Sequence, residues 1–233
     1  MSFVRHRRAV GLGLMLMSVS AGYVDSLSYR FLGQVFTSAM TGNVALMGLS
    51  LGQGDVIAAL RSLTAFSGFV FGLVIGALIL RRGSSRPALL AAVLLEALLL
   101  SGFGAFWRMR GAEAGLYGLI GLAAIAMGVQ SAVAHRFGMP GVSTTYFTGT
   151  TTNIVFSLVA PGTGPLPAAP RRVAWPVLAF LSYVSGAGLS GWYTAGLSAP
   201  NLPLALPFLP CAATIILAAL VAIAGPRGPT GNA

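Results

Sequence analysis

One cysteine and four acidic residues are all that this chain of 233 residues has of either kind, and each shortage removes a class of protein. Cys211 has no partner for an internal disulfide or for a Cys-based metal site. Charged residues make up 8% of the chain, against about 25% in soluble domains, so a soluble fold is excluded. Paired carboxylates, an HExxH pattern, a glycine-rich phosphate loop and a serine followed by a suitable His and Asp are all missing, and His6 and His135 are the two imidazoles. No residue set nominates an enzyme, and no metal or cofactor site is expected.

What is present is apolar. Hydrophobic residues make up 56% of the chain, and the mean hydropathy is +0.84. The formal charge of +10 comes from 14 basic residues, all arginine, set against the four acids. The arginines stand mainly at the ends of apolar runs, where they act as topology signal and interface anchors. Nucleic acid is the remote alternative, since such a domain clusters its charge on a polar face and this chain has none. Arg5, Arg7 and Arg8 followed by an apolar run ending in Ser18-Val-Ser-Ala21 have the outline of a signal peptide. The run continues through Tyr23 and Val24 into a segment with a counterpart later in the chain, which argues for a span instead.

Apolar runs fall at about residues 9–31, 34–51, 56–80, 87–107, 115–135, 139–160, 173–197 and 203–224. A spanning helix needs roughly 20 residues, and six of the runs meet that comfortably. The runs at 34–51 and 139–160 hold most of the Ser, Thr and Asn of the apolar portion. They contain a stretch that occurs twice, Phe36-Thr-Ser-Ala-Met-Thr-Gly-Asn-Val44 and Tyr146-Phe-Thr-Gly-Thr-Thr-Thr-Asn-Ile154. Gly weakens a helix by roughly 1 kcal/mol relative to Ala, and Thr and Asn compete for local backbone. Both stretches are therefore expected to be broken or bent helices, tolerated at membrane depth only where protein or a wet cavity satisfies the backbone.

The halves of the chain align. Gly22-Tyr-Val-Asp-Ser-Leu-Ser-Tyr-Arg30-Phe31 matches Gly128-Val-Gln-Ser-Ala-Val-Ala-His-Arg136-Phe137, and Phe66-Ser-Gly-Phe-Val-Phe-Gly72 resembles Phe180-Leu-Ser-Tyr-Val-Ser-Gly186. We expect one transmembrane domain over residues 1–233, with internal repeats at approximately 9–107 and 115–224. If every run crosses, with the N-terminus inside, nine arginines fall inside and five outside. If the second and sixth runs are re-entrant, the count becomes ten to four, because Arg81, Arg82 and Arg86 return to the cytoplasm. The fold expected is all-α: a polytopic helical bundle of about six full spans and two broken or re-entrant segments, with duplicated, inverted halves.

Asp25 is the most informative single residue. It lies inside the first run, where a carboxylate costs about 2.5 to 3.5 kcal/mol, so it is expected to face the protein interior and to serve function. Its plainer role would be to cap a helix break after Gly22 or to pair with an arginine. The repeat partner of Asp25 is Ser131, so a carboxylate role belongs to one half. Thr41, Gly42 and Asn43, with Gln130, Thr148, Gly149, Thr150 and Asn153, are expected to line a site, and Gln130 and His135 lie near Arg136. Tight helix packing is the competing explanation for these motifs, and the preferred one for Gly68, Gly72, Gly76, Gly186, Gly188 and Gly191. Arg30 and Arg136 occupy matching positions and are expected to snorkel to the interface, with anion or headgroup contact as the alternative.

Four pieces, Ala21-Gly-Tyr-Val-Asp-Ser-Leu-Ser-Tyr29, Val35-Phe-Thr-Ser-Ala-Met-Thr-Gly-Asn43, Gly128-Val-Gln130 and Thr144-Thr-Tyr-Phe-Thr-Gly149, resemble the YoaK-like family of bacterial membrane proteins in order and spacing. Ser131 departs from the Asn expected there. The resemblance covers nearly the whole chain and implies a bacterial inner-membrane location, but no activity. The residues themselves point to a transporter or channel for a small solute or ion, with Asp25 as the proton or cation coupling group. The alternative is a non-transporting scaffold or lipid-interacting protein. Lipids and the solute are the expected partners, and a homo-oligomer is compatible with the chain's 23.8 kDa.

Overall fold

The computed structural model describes residues 2–81, 86–137 and 170–195, together with positions 149, 151, 152, 155, 156, 159 and 216. Among the described residues all regular structure is helical. The helices are α1 (Ser2–Phe31), α2 (Met40–Gly52), α3 (Val56–Leu80), α4 (Arg86–Ala114), α5 (Leu116–Phe137) and α6 (Pro170–Thr194). Val10–Phe31, Val56–Leu80, Arg86–Ala114 and Leu116–Arg136 are each long and apolar enough to cross a membrane.

Two apolar clusters fix the directions of these helices. In one, Leu14 and Met17 of α1 pack with Leu80 of α3, Leu89 of α4 and Val133 of α5. In the other, Ala21 to Leu27 of α1 join Ala65, Phe103, Trp107 and Leu119, with the Phe103 and Trp107 rings edge to face at 5.5 Å. Hence α1 and α4 run one way, and α3 and α5 run the other.

The direction of α3 relative to α1 decides how the second apolar run is used. Since α1 ends and α3 begins at the same end of the bundle, residues 32–55 leave and return on one side. Positive φ at Gly33 (78°) and Gln34 (62°) turns the chain back after α1. The 13 residues of α2 rise about 20 Å, short of the roughly 30 Å hydrocarbon core. Gly54, also at positive φ, then turns the chain into α3, whose N-cap Asp55 accepts from Ala58 N at 3.0 Å. The break thus falls at residues 32–39, ahead of Thr41-Gly42-Asn43, which were expected to interrupt the helix but lie helical in the first turn of the short α2. The first run holds an unbroken helix through Gly22, so Asp25 caps no break there.

In lipid there is little hydrophobic drive between helices, and close backbone approach takes its place. A Cβ on Gly22 of α1 would run into the carbonyl oxygen of Tyr183 of α6, and one on Gly186 of α6 into that of Val19. The same exchange joins α5 and α3: Gly128 lies on the carbonyl of Phe69, and Gly72 on that of Ile125. Gly11 meets Trp175 in the first pair, and Gly68 and Gly76 meet Ala124 and Ala132 in the second, so each pair is parallel. Of the six glycines expected to serve packing, Gly68, Gly72, Gly76 and Gly186 do so; Gly188 and Gly191 have nothing within 4 Å of an added Cβ.

Candidate functional site

Asp25 projects from the interior of α1 with 1% of its surface exposed, and the loop ahead of α2 closes over it. Its Oδ1 accepts from Thr37 N at 2.6 Å, Thr37 Oγ1 at 2.9 Å and Ser38 N at 2.7 Å. Its Oδ2 accepts from Ser38 Oγ at 2.6 Å and from the Tyr183 hydroxyl of α6 at 2.7 Å. A carboxylate has about four lone-pair sites, so five donors fill it. Two are backbone N–H groups just before the N-terminus of α2, where the helix dipole also favours negative charge. Among the described residues, hydroxyls and peptide groups hold this acid, and no arginine does.

Asn43, on the first turn of α2, completes the closure. Its Oδ1 accepts from Phe36 N at 2.9 Å, and its Nδ2 donates to Phe36 O at 2.5 Å, so one amide satisfies both polar groups of a peptide position that no helix serves. The Phe36 ring stacks on Tyr29 at a centroid distance of 5.1 Å and covers Gly42, where an added Cβ would come within 2.9 Å of it. Asp25 and Asn43 therefore pin the same loop from α1 and from α2. Thr41 is exposed, beside this closure and not within it.

Gln130 belongs to a different place. It is buried on α5 and donates through Nε2 to Glu96 Oε1 of α4 at 2.8 Å. Glu96 is fully buried, and its Oε2 has no hydrogen-bond partner. Glu96 is an acid in the middle of an apolar run and so carries in the sequence the same signal that singles out Asp25.

Of the second polar stretch, Gly149 is helical and exposed, and Thr148, Thr150 and Asn153 lie outside the described residues. His135 and Arg136 are exposed at the end of α5. With Arg81, Leu73, Ala77, Leu80 and Ala132 they line an open hollow of about 190 Å³. Arg30 is exposed at the end of α1, its guanidinium 5.3 Å from the Phe31 ring centroid, as a snorkelling side chain would be. Among the described residues no group of three or more His, Cys, Asp or Glu side chains could hold a metal ion.

Residues 13–221 match the model of a family described as "Protein of unknown function (DUF1275)". The chain is also similar to the UPF0700 transmembrane protein YoaK of Bacillus subtilis, with 37% identity over 147 residues. That alignment covers 61% of this chain and 64% of the relative, less than two thirds of its length. No solved structure matches.

Proposed function

Since the chain belongs to the DUF1275 family of transmembrane proteins of unknown function, we propose from its own interior that it is a membrane transporter or channel for a small solute or ion. The observation that carries this reading is the loop at residues 32–39. It is non-helical backbone folded back into a lipid-embedded bundle and closed on a buried carboxylate. Backbone of this kind occurs at membrane depth only inside protein or beside water, and short helices that stop within the bilayer form the midplane sites of many transporters.

The halves are duplicated and inverted in this proposal. It is supported by the reciprocal glycine contacts, which superpose residues 19 and 22 on 125 and 128, and residues 183 and 186 on 69 and 72. It is also supported by the opposite directions of α1 and α5. The runs at 173–197 and 203–224 supply the fifth and sixth spans, and Thr148 to Asn153 supply the counterpart of the first re-entrant stretch. At the positions of Asp25 and Tyr183 the other half carries Ser131 and Phe69, so the carboxylate belongs to one half alone.

The substrate path runs beside Thr41, Thr148, Thr150 and Asn153, with Asp25 as the coupling group. Arg5, Arg7, Arg8, Arg81, Arg86, Arg136, Arg171 and Arg172 stand at the end of the bundle where α1 begins, and Arg30, Arg61, Arg108 and Arg110 at the other. By the positive-inside rule the first end, with the N-terminus, faces the cytoplasm of a bacterial inner membrane. A chain of 23.8 kDa encloses only a narrow path, which suits a small solute and a homo-oligomer. The activity is passage, without catalysis.

A non-transporting scaffold or lipid-interacting protein is the second reading. It is favoured by one observation: both Asp25 and Asn43 spend their hydrogen bonds on the protein itself. Cysteine accessibility separates the two. In a background with Cys211 replaced, Thr41→Cys, Thr148→Cys and Asn153→Cys are expected to react with a small hydrophilic thiol reagent, whereas Asn43→Cys is shielded. Silence at all four positions would remove the path.

A further inference from the structure

The second buried acid sits in an unusual electrostatic position. Glu96 is fully buried, one α4 turn from Val93 and Leu100, which belong to the two apolar clusters. It has one hydrogen-bond donor, the Gln130 amide, on Oε1. Among the described residues nothing donates to Oε2. Asp25, equally buried, shows what this protein does to hold an acceptor-only carboxylate: it brings five donors.

Among the described residues, the titratable and charged groups on the neighbouring elements do not supply a countercharge. On α5, His135 and Arg136 lie five and six positions beyond Gln130 and are exposed, and Tyr117 is exposed at the other end. On α3, Arg61 stands near the start of the helix, and Arg81 follows its last residue. On α1, Arg5, His6, Arg7 and Arg8 lie in its first two turns, before Leu14 and Met17 of the first cluster, Tyr23 and Asp25 are buried, Tyr29 and Arg30 are exposed, and Asp25 is itself an acid. On α4 itself, Arg86, Arg108, Arg110 and Glu113 lie ten or more positions from Glu96.

We propose that Glu96 is a proton-binding site in the interior of the bundle, holding a proton on Oε2 at neutral pH while Oε1 accepts from Gln130. The geometry divides the two oxygens into those roles: the one that accepts is the carbonyl oxygen, and the one without a donor is the hydroxyl. An ionised carboxylate in this place would be a buried charge with a single hydrogen bond, which proteins avoid by neutralising the group. A neutral carboxyl leaves at most one hydroxyl unsatisfied. Release of the proton to water produces a carboxylate that needs new donors, and the place between α4 and α5 offers these only if water or a cation enters. Proton occupancy is thereby linked to the closure of the α4–α5 contact. The inference stands apart from the transport reading, because a non-transporting protein with this interior would hold the same proton.

Infrared spectroscopy of the full-length protein in lipid tests it at pH 7. The wild type is expected to show the C=O stretch of a protonated carboxylic acid, and Glu96→Gln to lose it while folding normally, since Gln is close in shape to the neutral acid. Gln130→Leu is expected to keep the band and shift it to higher frequency, because the carbonyl loses its donor, a change that a purely packing role would not produce. Absence of the band in the wild type, its persistence in Glu96→Gln, its failure to shift in Gln130→Leu, or failure of Glu96→Gln to fold would each overturn the proposal.

Discussion

Tyr183 of α6 donates its phenolic hydrogen to Asp25 of α1 at 2.7 Å, joining positions 158 residues apart in the chain. The bond lies beside the glycine crossing of the same two helices, so backbone contact and polar contact act together. It also ties α6 to the loop at residues 32–39, because the same carboxylate holds Thr37 and Ser38.

Different replacements of Asp25 are expected to behave differently. In Asp25→Asn the amide oxygen can remain on the two backbone N–H groups, and the new NH₂ can donate to the hydroxyls of Ser38 and Tyr183, which accept as well as donate. In Asp25→Ala two buried backbone donors lose their acceptor, at about 1–3 kcal/mol each. Thermal unfolding in detergent should show the Ala variant strongly destabilised and the Asn variant much less so. Equal loss in both would mean that the negative charge, and not the acceptor geometry, holds the loop.

At Asn43 the two hydrogen bonds point in opposite senses, donor and acceptor on one peptide position. Asn43→Asp keeps the size but sets an oxygen against the Phe36 carbonyl. It should cost more than Asn43→Ala, itself expected to lose roughly 1–3 kcal/mol. The comparison is again a melting experiment, and an Asp variant as stable as the wild type would contradict the arrangement.

The glycine crossings predict a contrast by position. Gly22→Val and Gly128→Val place side chains against neighbouring backbone and are expected to abolish folded yield, read by size-exclusion chromatography. Gly188→Ala and Gly191→Ala meet open space and gain up to ~1 kcal/mol of helix propensity. Tolerance of Val at both crossing positions would mean that the helix pairs do not approach as described.

Much of this was legible in residue order. An acid inside an apolar run marked Asp25, the polar second run holds only the short α2, with its break at residues 32–39 and not at Thr41-Gly42-Asn43, and four of the six glycines assigned to packing meet a neighbouring helix. The partners of these residues were not legible. Tyr183 meets Asp25 only because α1 and α6 pack in parallel, a relation that no local period encodes. Asn43 was expected to line a site, but it closes its own loop, since an amide suits a bare peptide as well as a solute. Gln130 was expected to bind solute together with Asp25, and it pairs with Glu96. That acid lacked a polar motif around it, and its burial follows from the facing of α4 against α5.

The re-entrant path proposed for residues 32–55 has a side-specific signature. Gln34→Cys and Gln53→Cys are expected to be labelled by an impermeant reagent from one side of the membrane, and Arg81→Cys from the other. If the run crossed fully, Gln34→Cys and Gln53→Cys would label from opposite sides.

Flux through vesicles reconstituted with the full-length protein tests the functional claim most directly. Across a panel of monovalent cations, inorganic anions and small metabolites, the account predicts protein-dependent movement of at least one member, greatly reduced in an Asp25→Asn protein that still melts cooperatively. No movement of any member above protein-free vesicles would contradict transport and leave the scaffold reading in its place.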